Sequence, residues 1–203
     1  MMRTTRILFV TALMSLAVLA EAAAIPRDCL KYRRELVGNA RQIFGLNAPV
    51  STFAAQMRQE SSCNPAARSA YAEGLTQFTP DTVNWIGGMF PELAAREPLN
   101  PTWAIRAMVR YDKYLVDRAN GQTDCDNMWF ALWGYNGGEG WVRRDKKLAL
   151  AKGANPRRYE SVAPFNAGRA PAMFAENRHY PIAIVRRWQP MFVDAGWGNG
   201  SCS

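Results

Sequence analysis

Residues 50–65 read VSTFAAQMRQESSCNP, and the repeat of their apolar side chains decides what this part of the chain can be. Val50, Phe53, Ala54 and Met57 recur at i, i+3, i+4 and i+7, the spacing of one helical face, and Glu60 falls on that face three residues later. The pattern therefore sets a carboxylate on the buried side of a helix. Asn64-Pro65 predicts the end of that helix, because the residue before a proline is pushed out of the α region. Glu60 is then in the last turn, where burial and the negative end of the helix dipole both raise a carboxyl pKa. A general acid working near neutral pH needs such surroundings. On the helix alone the plainer reading is a glutamate whose methylenes line the core while its head reaches water.

Outward from this stretch the helical signal continues. Leu36, Val37, Ala40, Ile43 and Phe44 form a stripe that stops at Gly45, and this helix is expected to pack on the one carrying Glu60. Thr79-Pro80-Asp81 and Asn100-Pro101 are helix starts, the first running to Gly87-Gly88 and the second to about Asn120. Met128 to Trp133 is apolar on every side and predicts a central buried helix, with Asp126 as its N-cap and Tyr135-Asn136 at its end. Trp141 to Lys152 is helical, 155–172 loop-like, and helix returns at Met173 to Tyr180 and from Pro181 to Asp194, with Pro190 expected to kink or break it. No alternating run demands a sheet, so the fold class is mainly α.

Residues 1–24 have the layout of a signal peptide: Arg3 and Arg6, an apolar run from Ile7 to Ala20, and small residues at Ala22-Ala23-Ala24. The apolar run is shorter than the roughly 20 residues a spanning helix needs, so no stable membrane anchor is expected after processing. Residues 25–203 then form a single domain, exported to the periplasm or secreted. All four cysteines, Cys29, Cys63, Cys125 and Cys202, lie in that part, and an even count in an oxidising compartment favours two disulfides. Three pairings are possible; Cys29 with Cys202, tying the ends, and Cys63 with Cys125, bracing the loop after Glu60, is the one favoured. No metal and no cofactor is expected, since the cysteines are far apart and His179 is the only histidine. The net charge of +8 suits a polyanionic partner, but no nucleic-acid motif is present.

Four further fragments stand in order along the chain: Ser69 nine residues after Glu60, Gly74-Leu75-Thr76-Gln77-Phe78-Thr79-Pro80, Tyr135-Asn136-Gly137-Gly138, and Glu176-Asn177-Arg178-His179-Tyr180. With the Glu60-Ser61 pair these resemble the motifs of the SLT-type soluble lytic transglycosylases, lysozyme-like enzymes that cleave bacterial peptidoglycan. Tyr71-Ala72 stands where the family usually has Gly-Ala, Gly134 where it has Ala, and Asn177 where Thr is common. The resemblance implies a lysozyme-like domain acting as a monomer on peptidoglycan glycan strands, with Glu60 as the single general acid and base and 1,6-anhydro ends as products. By the same resemblance Ser69 and Gln77 hydrogen-bond the sugars or the acid, Tyr135 sits near the reacting ring, Asn136 shapes the turn or binds sugar, and Glu176 and Tyr180 close the far wall of the groove. Phe78, Trp85 and Trp133 are read first as packing and second as sugar platforms. Two alternatives remain at this stage. One is a hydrolytic muramidase, for which the acids nearest in sequence, Glu73 and Asp81, would have to supply a second carboxylate; the other is a wall-opening part of a secretion, conjugation or phage machine.

Overall fold

The structure, a computed structural model, describes residues 25–202, so the leader expected at 1–24 lies outside the described residues. Helix α1 spans Arg27–Leu30, α2 Arg33–Phe44 and α3 Val50–Ser61. A loop leads to α4 (Pro80–Met89), a 3-10 turn at Pro91–Leu93, α5 (Pro101–Arg118), α6 (Asp124–Gly137) and α7 (Glu139–Ala151). The short α8 (Tyr159–Val162), α9 (Pro171–Ile182), a π-helical segment at Ala183–Trp188 and α10 (Gln189–Asp194) complete the order. Among the described residues β pairing is confined to the isolated bridges Arg68 to Glu73 and Glu73 to Phe78, and the fold is all-α.

Helix α6 is the centre. Met128 through Gly134 are all buried, and α5, α7 and α9 pack around them. Its start differs from expectation by three residues: Thr123 is the N-cap, its Oγ1 accepting from the Asp126 N–H at 3.0 Å, and Asp126 instead holds the Tyr159 N–H at 2.8 Å. Thr79 and Asn100 cap α4 and α5 as their sequences predict.

Helix α3 is enclosed along most of its length. Val50 to Met57 are all buried, including the polar Ser51, Thr52 and Gln56. Buried hydroxyls need partners, and the C-terminal tail supplies them. Ser51 Oγ donates to the Gly198 carbonyl at 2.7 Å, Ser51 N–H to the Asn199 carbonyl at 3.0 Å, and Thr52 Oγ1 to Gln189 Oε1 at 2.6 Å. At its other end α3 stops at Ser61, before Asn64-Pro65 is reached. Ser62 and Cys63 both take positive φ, and their N–H groups return to the carbonyls of Arg58 and Met57, a hydrogen-bonded left-handed cap.

The favoured disulfide pairing is corrected by the structure, which joins Cys29 to Cys63 and Cys125 to Cys202. The left-handed cap swings Cys63 from the end of α3 onto α1, while the tail that crosses the start of α3 ends beside the first turn of α6. The helix from Pro181 onward, expected to kink or break at Pro190, is irregular just before that residue. It does not break at Pro190; the segment Ala183–Trp188 widens to π geometry. An α-helical proline clashes with the carbonyl four residues back, here Arg186, and widening the preceding turn relieves that clash.

Proteolysis without reduction should release peptides joining Cys29 to Cys63 and Cys125 to Cys202, read by mass. Chain-entropy arguments assign each bridge about 4 kcal/mol, so reductant should lower the unfolding midpoint markedly. Recovery of Cys29 linked to Cys202 would contradict the structure.

Candidate active site

Glu60 occupies the last turn of α3, beyond a face made of the fully buried Phe53, Ala54 and Met57. It is half-buried, at the floor of a groove of about 400 Å³ that also takes in Ser69, Gln77, Tyr135, Asn136, Glu176 and Tyr180. Four separate stretches of chain thus converge on one cavity.

Among the described residues the carboxyl has one direct side-chain partner, the hydroxyl of buried Tyr180 on α9, which donates to Glu60 Oε1. Tyr180 stacks nearly parallel to Tyr135, centroids 6.3 Å apart, and Phe78 lies 5.4 Å beyond Tyr135. This aromatic wall excludes water from one side of the acid. Burial pushes the Glu60 pKa from 4.5 up to about 8; the Tyr180 hydrogen bond pulls it back and the nearby charge of Glu176 pushes it further up. A carboxyl that keeps its proton at neutral pH can give it to a leaving oxygen.

The remaining residues are mostly tied into the protein. Tyr135 donates its hydroxyl to the Thr76 carbonyl at 2.8 Å, so it presents a ring to the groove and not a donor to Glu60. Ser69 Oγ accepts from the Ala72 and Tyr71 N–H groups at 3.0 and 3.3 Å, closing a tight turn. Gln77, at φ 49°, gives its amide N–H groups to the carbonyls of Gly74 and Ala67 at 2.8 and 3.2 Å, which braces the loop. That loop is pressed onto α3 by Ser61, whose hydroxyl donates to the Leu75 carbonyl at 2.7 Å. Gly74 has to be glycine: at φ +82° a Cβ there would meet the Pro98 carbonyl oxygen at 2.0 Å. Asn136 Oδ1 accepts from Asn177 at 3.0 Å.

The family profile described as the Transglycosylase SLT domain matches residues 39–156. The chain belongs to the transglycosylase SLT-domain family. Similar proteins include a membrane-bound lytic murein transglycosylase F of Shewanella halifaxensis, 34% identical over 112 residues, and that of Shewanella pealeana, 33% identical over 112 residues, each covering 54% of this chain and 22% of the relative. The like-named protein of Vibrio cholerae is 31% identical over 111 residues, which are 54% of this chain and 20% of its own length. The matched stretch therefore spans about a fifth of these relatives. Within the SLT match lie Glu60, Ser69, Gln77, Tyr135 and Asn136, whereas Glu176 and Tyr180, the partner of Glu60, lie beyond it.

Some residues of the groove and of the core behind it escaped sequence reasoning. Tyr71 is 81% exposed at the rim, where its substitution for the customary small residue was the visible signal, and His179 lines the groove beside Tyr180. Asp112 on α5 was missed entirely. It is fully buried, held by Gln56 Nε2 at 3.4 Å, with its Oδ2 unpartnered; burial drives its pKa well above the ordinary carboxylate range, the Gln56 hydrogen bond opposes this, and the charge of Glu60 adds to it. Its place in the helical stripe, between Val109 and Leu115, was the available clue. Of the acids near Glu60 in sequence, Glu73 pairs with Arg68 and Asp81 is exposed in the first turn of α4, and neither lines the groove. Of the aromatic candidates Phe78 lines the groove, Trp85 packs on Tyr111 and Tyr114, and Trp133 is core beneath Arg178. Among the described residues no His, Cys, Asp and Glu side chains cluster in a way that would hold a metal.

The raised Glu60 pKa links stability to pH. Between 4.5 and about 8 the folded protein holds a proton that the unfolded chain has released, so stability is highest below that window and falls as pH rises through it. Glu60→Gln should remove this part of the decline: relative to wild type, the variant should gain melting temperature from pH 5 to pH 8.5. Parallel melting curves for the two proteins would show that the carboxyl is not raised.

Proposed function

We propose that this chain is a peptidoglycan lytic transglycosylase, exported and acting as a monomer, that cleaves the β-1,4 bond between N-acetylmuramic acid and N-acetylglucosamine. The observation that carries the reading is Glu60, a proton-bearing carboxyl set against an aromatic wall in a groove, in a chain of the SLT family. The two disulfides favour an oxidising compartment, and among the described residues no helix is long and apolar enough to cross a membrane.

In this reading Glu60 gives its proton to the bridging oxygen as the bond to the sugar C1 breaks and positive charge develops there. The carboxylate so formed is steadied by the Tyr180 hydroxyl. It then takes the proton of the same sugar's 6-hydroxyl as that oxygen bonds to C1, closing the 1,6-anhydro ring and restoring the acid without consuming water. Tyr135 and Phe78 shield the reacting ring, and Gln77, Ser69 and Asn136 shape the walls around it.

A hydrolytic reading is favoured by one observation. Glu176 lines the same groove, is exposed, and its charge acts on Glu60, so it is the carboxylate placed to direct a water. Digestion of purified peptidoglycan in heavy-oxygen water separates the two. Anhydro ends lighter by one water and free of label are expected; reducing, labelled ends would overturn the transglycosylase reading and point to Glu176.

Glu60→Gln should lose activity by about 10²–10⁴-fold while remaining folded, the usual worth of general acid–base catalysis. Activity that needs protonated Glu60 is lost as pH rises through about 8. Since the Tyr180 hydrogen bond lowers that pKa, Tyr180→Phe should move the alkaline limb of the pH profile upward even as the maximal rate falls. An alkaline limb that stays in place or moves down would remove Tyr180 from this role.

A further inference from the structure

Helix α6 ends against a second cavity of about 310 Å³, walled in part by Gly137, Trp141, Arg169 and Asn177. Asn136 lines both this cavity and the groove, so the two adjoin at its side chain.

Charge inside this region does not balance. Asp145, fully buried, accepts from the Ala167 N–H at 2.7 Å and from Arg178 Nη2 at 3.1 Å. Arg178 directs its other donors to the Ala163 and Phe165 carbonyls and to Asn177 Oδ1, so it and Asp145 complete each other. Arg169 is left over. It is only 8% exposed, its Nη2 pairs with the same Asp145 oxygen at 3.9 Å, beyond hydrogen-bond reach, and neither Nη2 nor Nε has a hydrogen-bond partner. Two guanidiniums thus face one carboxylate, and no acid lines the cavity to cancel the surplus.

The guanidinium is held where it is. Asn166 accepts the Arg169 N–H at 2.7 Å and donates to its carbonyl at 2.8 Å, and the Trp141 ring lies 5.0 Å from the guanidinium carbon. A Cβ at Gly137 would come within 2.4 Å of Arg169 Nη1, so a glycine after Asn136 is what lets the cation reach the end of α6. A buried cation whose one acid stands 3.9 Å away and is shared with a second guanidinium is incompletely paired until a further anion completes it, and the planar guanidinium fork matches a carboxylate.

We propose that this cavity is a carboxylate subsite in which Arg169 receives a free carboxylate of the peptide stems borne by peptidoglycan strands, so that strands carrying peptides are preferred over bare ones. The inference rests on the peptidoglycan reading above. It makes Arg169 a specificity-determining residue one side chain away from the groove.

The test compares kcat/KM of the full chain on peptide-bearing glycan strands and on the same strands stripped of peptides by an amidase. A charge-assisted contact corresponds to about a tenfold or greater preference of wild type for peptide-bearing strands. Arg169→Met should abolish that preference, chiefly through KM, and Arg169→Lys, which keeps the charge, should retain part of it. An equal fold-loss on both substrates in Arg169→Met would make Arg169 merely structural and overturn the subsite, as would a preference that survives the substitution. Cleavage of both substrates by wild type without preference overturns the subsite alone. Cleavage of neither overturns the peptidoglycan reading and the subsite with it.

Discussion

The hydrogen bond from Tyr180 to Glu60 joins residues 120 positions apart in the chain, and it fixes the one group on which the proposed chemistry depends. Glu60 is contributed by the end of α3 and Tyr180 by α9, so the bond forms only if both helices are seated on the common core around α6. Two opposed effects act on the acid, and burial is the larger. Burial favours the neutral form and Tyr180 favours the anion. Without burial the carboxyl would be ionised and useless as a donor; without the tyrosine the anion formed after proton transfer would face an apolar wall with no compensation.

Seating of α3 explains otherwise unrelated features. Its first turns are clasped by the tail through Ser51, Thr52, Gln189 and Ser201. The tail is in turn bonded to α6 through Cys125 and Cys202. Its far end is fixed by the left-handed turn at Ser62 and Cys63 and by the bridge to Cys29. Both disulfides therefore act on the same helix from opposite ends, and Ser61 adds the loop that carries Gln77. Side chains that must hold a reacting group within narrow limits are best placed on packed helices with their own supports.

What the sequence made legible follows the strength of its local signals. Period 3.6 placed α2, α3 and α5, the cap residues Thr79 and Asn100 stand as predicted, and the all-round apolar run of α6 is the buried centre. Local signals cannot rank neighbours that compete for one role, and so Thr123, not Asp126, caps α6. Disulfide pairing was not legible, because it depends on where α1 and the tail lie in space and not on spacing. Asp112 was hidden for the opposite reason: a carboxylate within an apolar stripe is read as a snorkelling surface residue unless its burial is known, and here it is sealed against Gln56, one helical turn from Glu60. The groove drew together residues that the motif order had grouped, but it also assigned their hydrogen bonds. Ser69, Gln77 and Tyr135 each direct a polar atom into the protein's own loops, which makes them builders of the site as much as contacts for a ligand.

Four ionisable groups in this fold meet the cost of desolvation in three ways. Glu60 and Asp112 lie where burial favours the proton-bearing form, so each avoids an unpaired negative charge by remaining neutral. Asp145 is met directly by Arg178 and the Ala167 N–H. Arg169 has only part of the second remedy: a guanidinium gives up its proton only at extreme pH, and the one acid within reach, 3.9 Å away, is shared with Arg178. Burial even so lowers its pKa, and the attraction of Asp145 only partly offsets this. Two guanidiniums that share one buried carboxylate, the second of them beside Asn136 and behind a glycine that makes room for it, leave an incompletely met electrostatic demand next to the groove. Demands of that kind are met by a ligand of opposite charge, and the strands expected in the groove carry carboxylates.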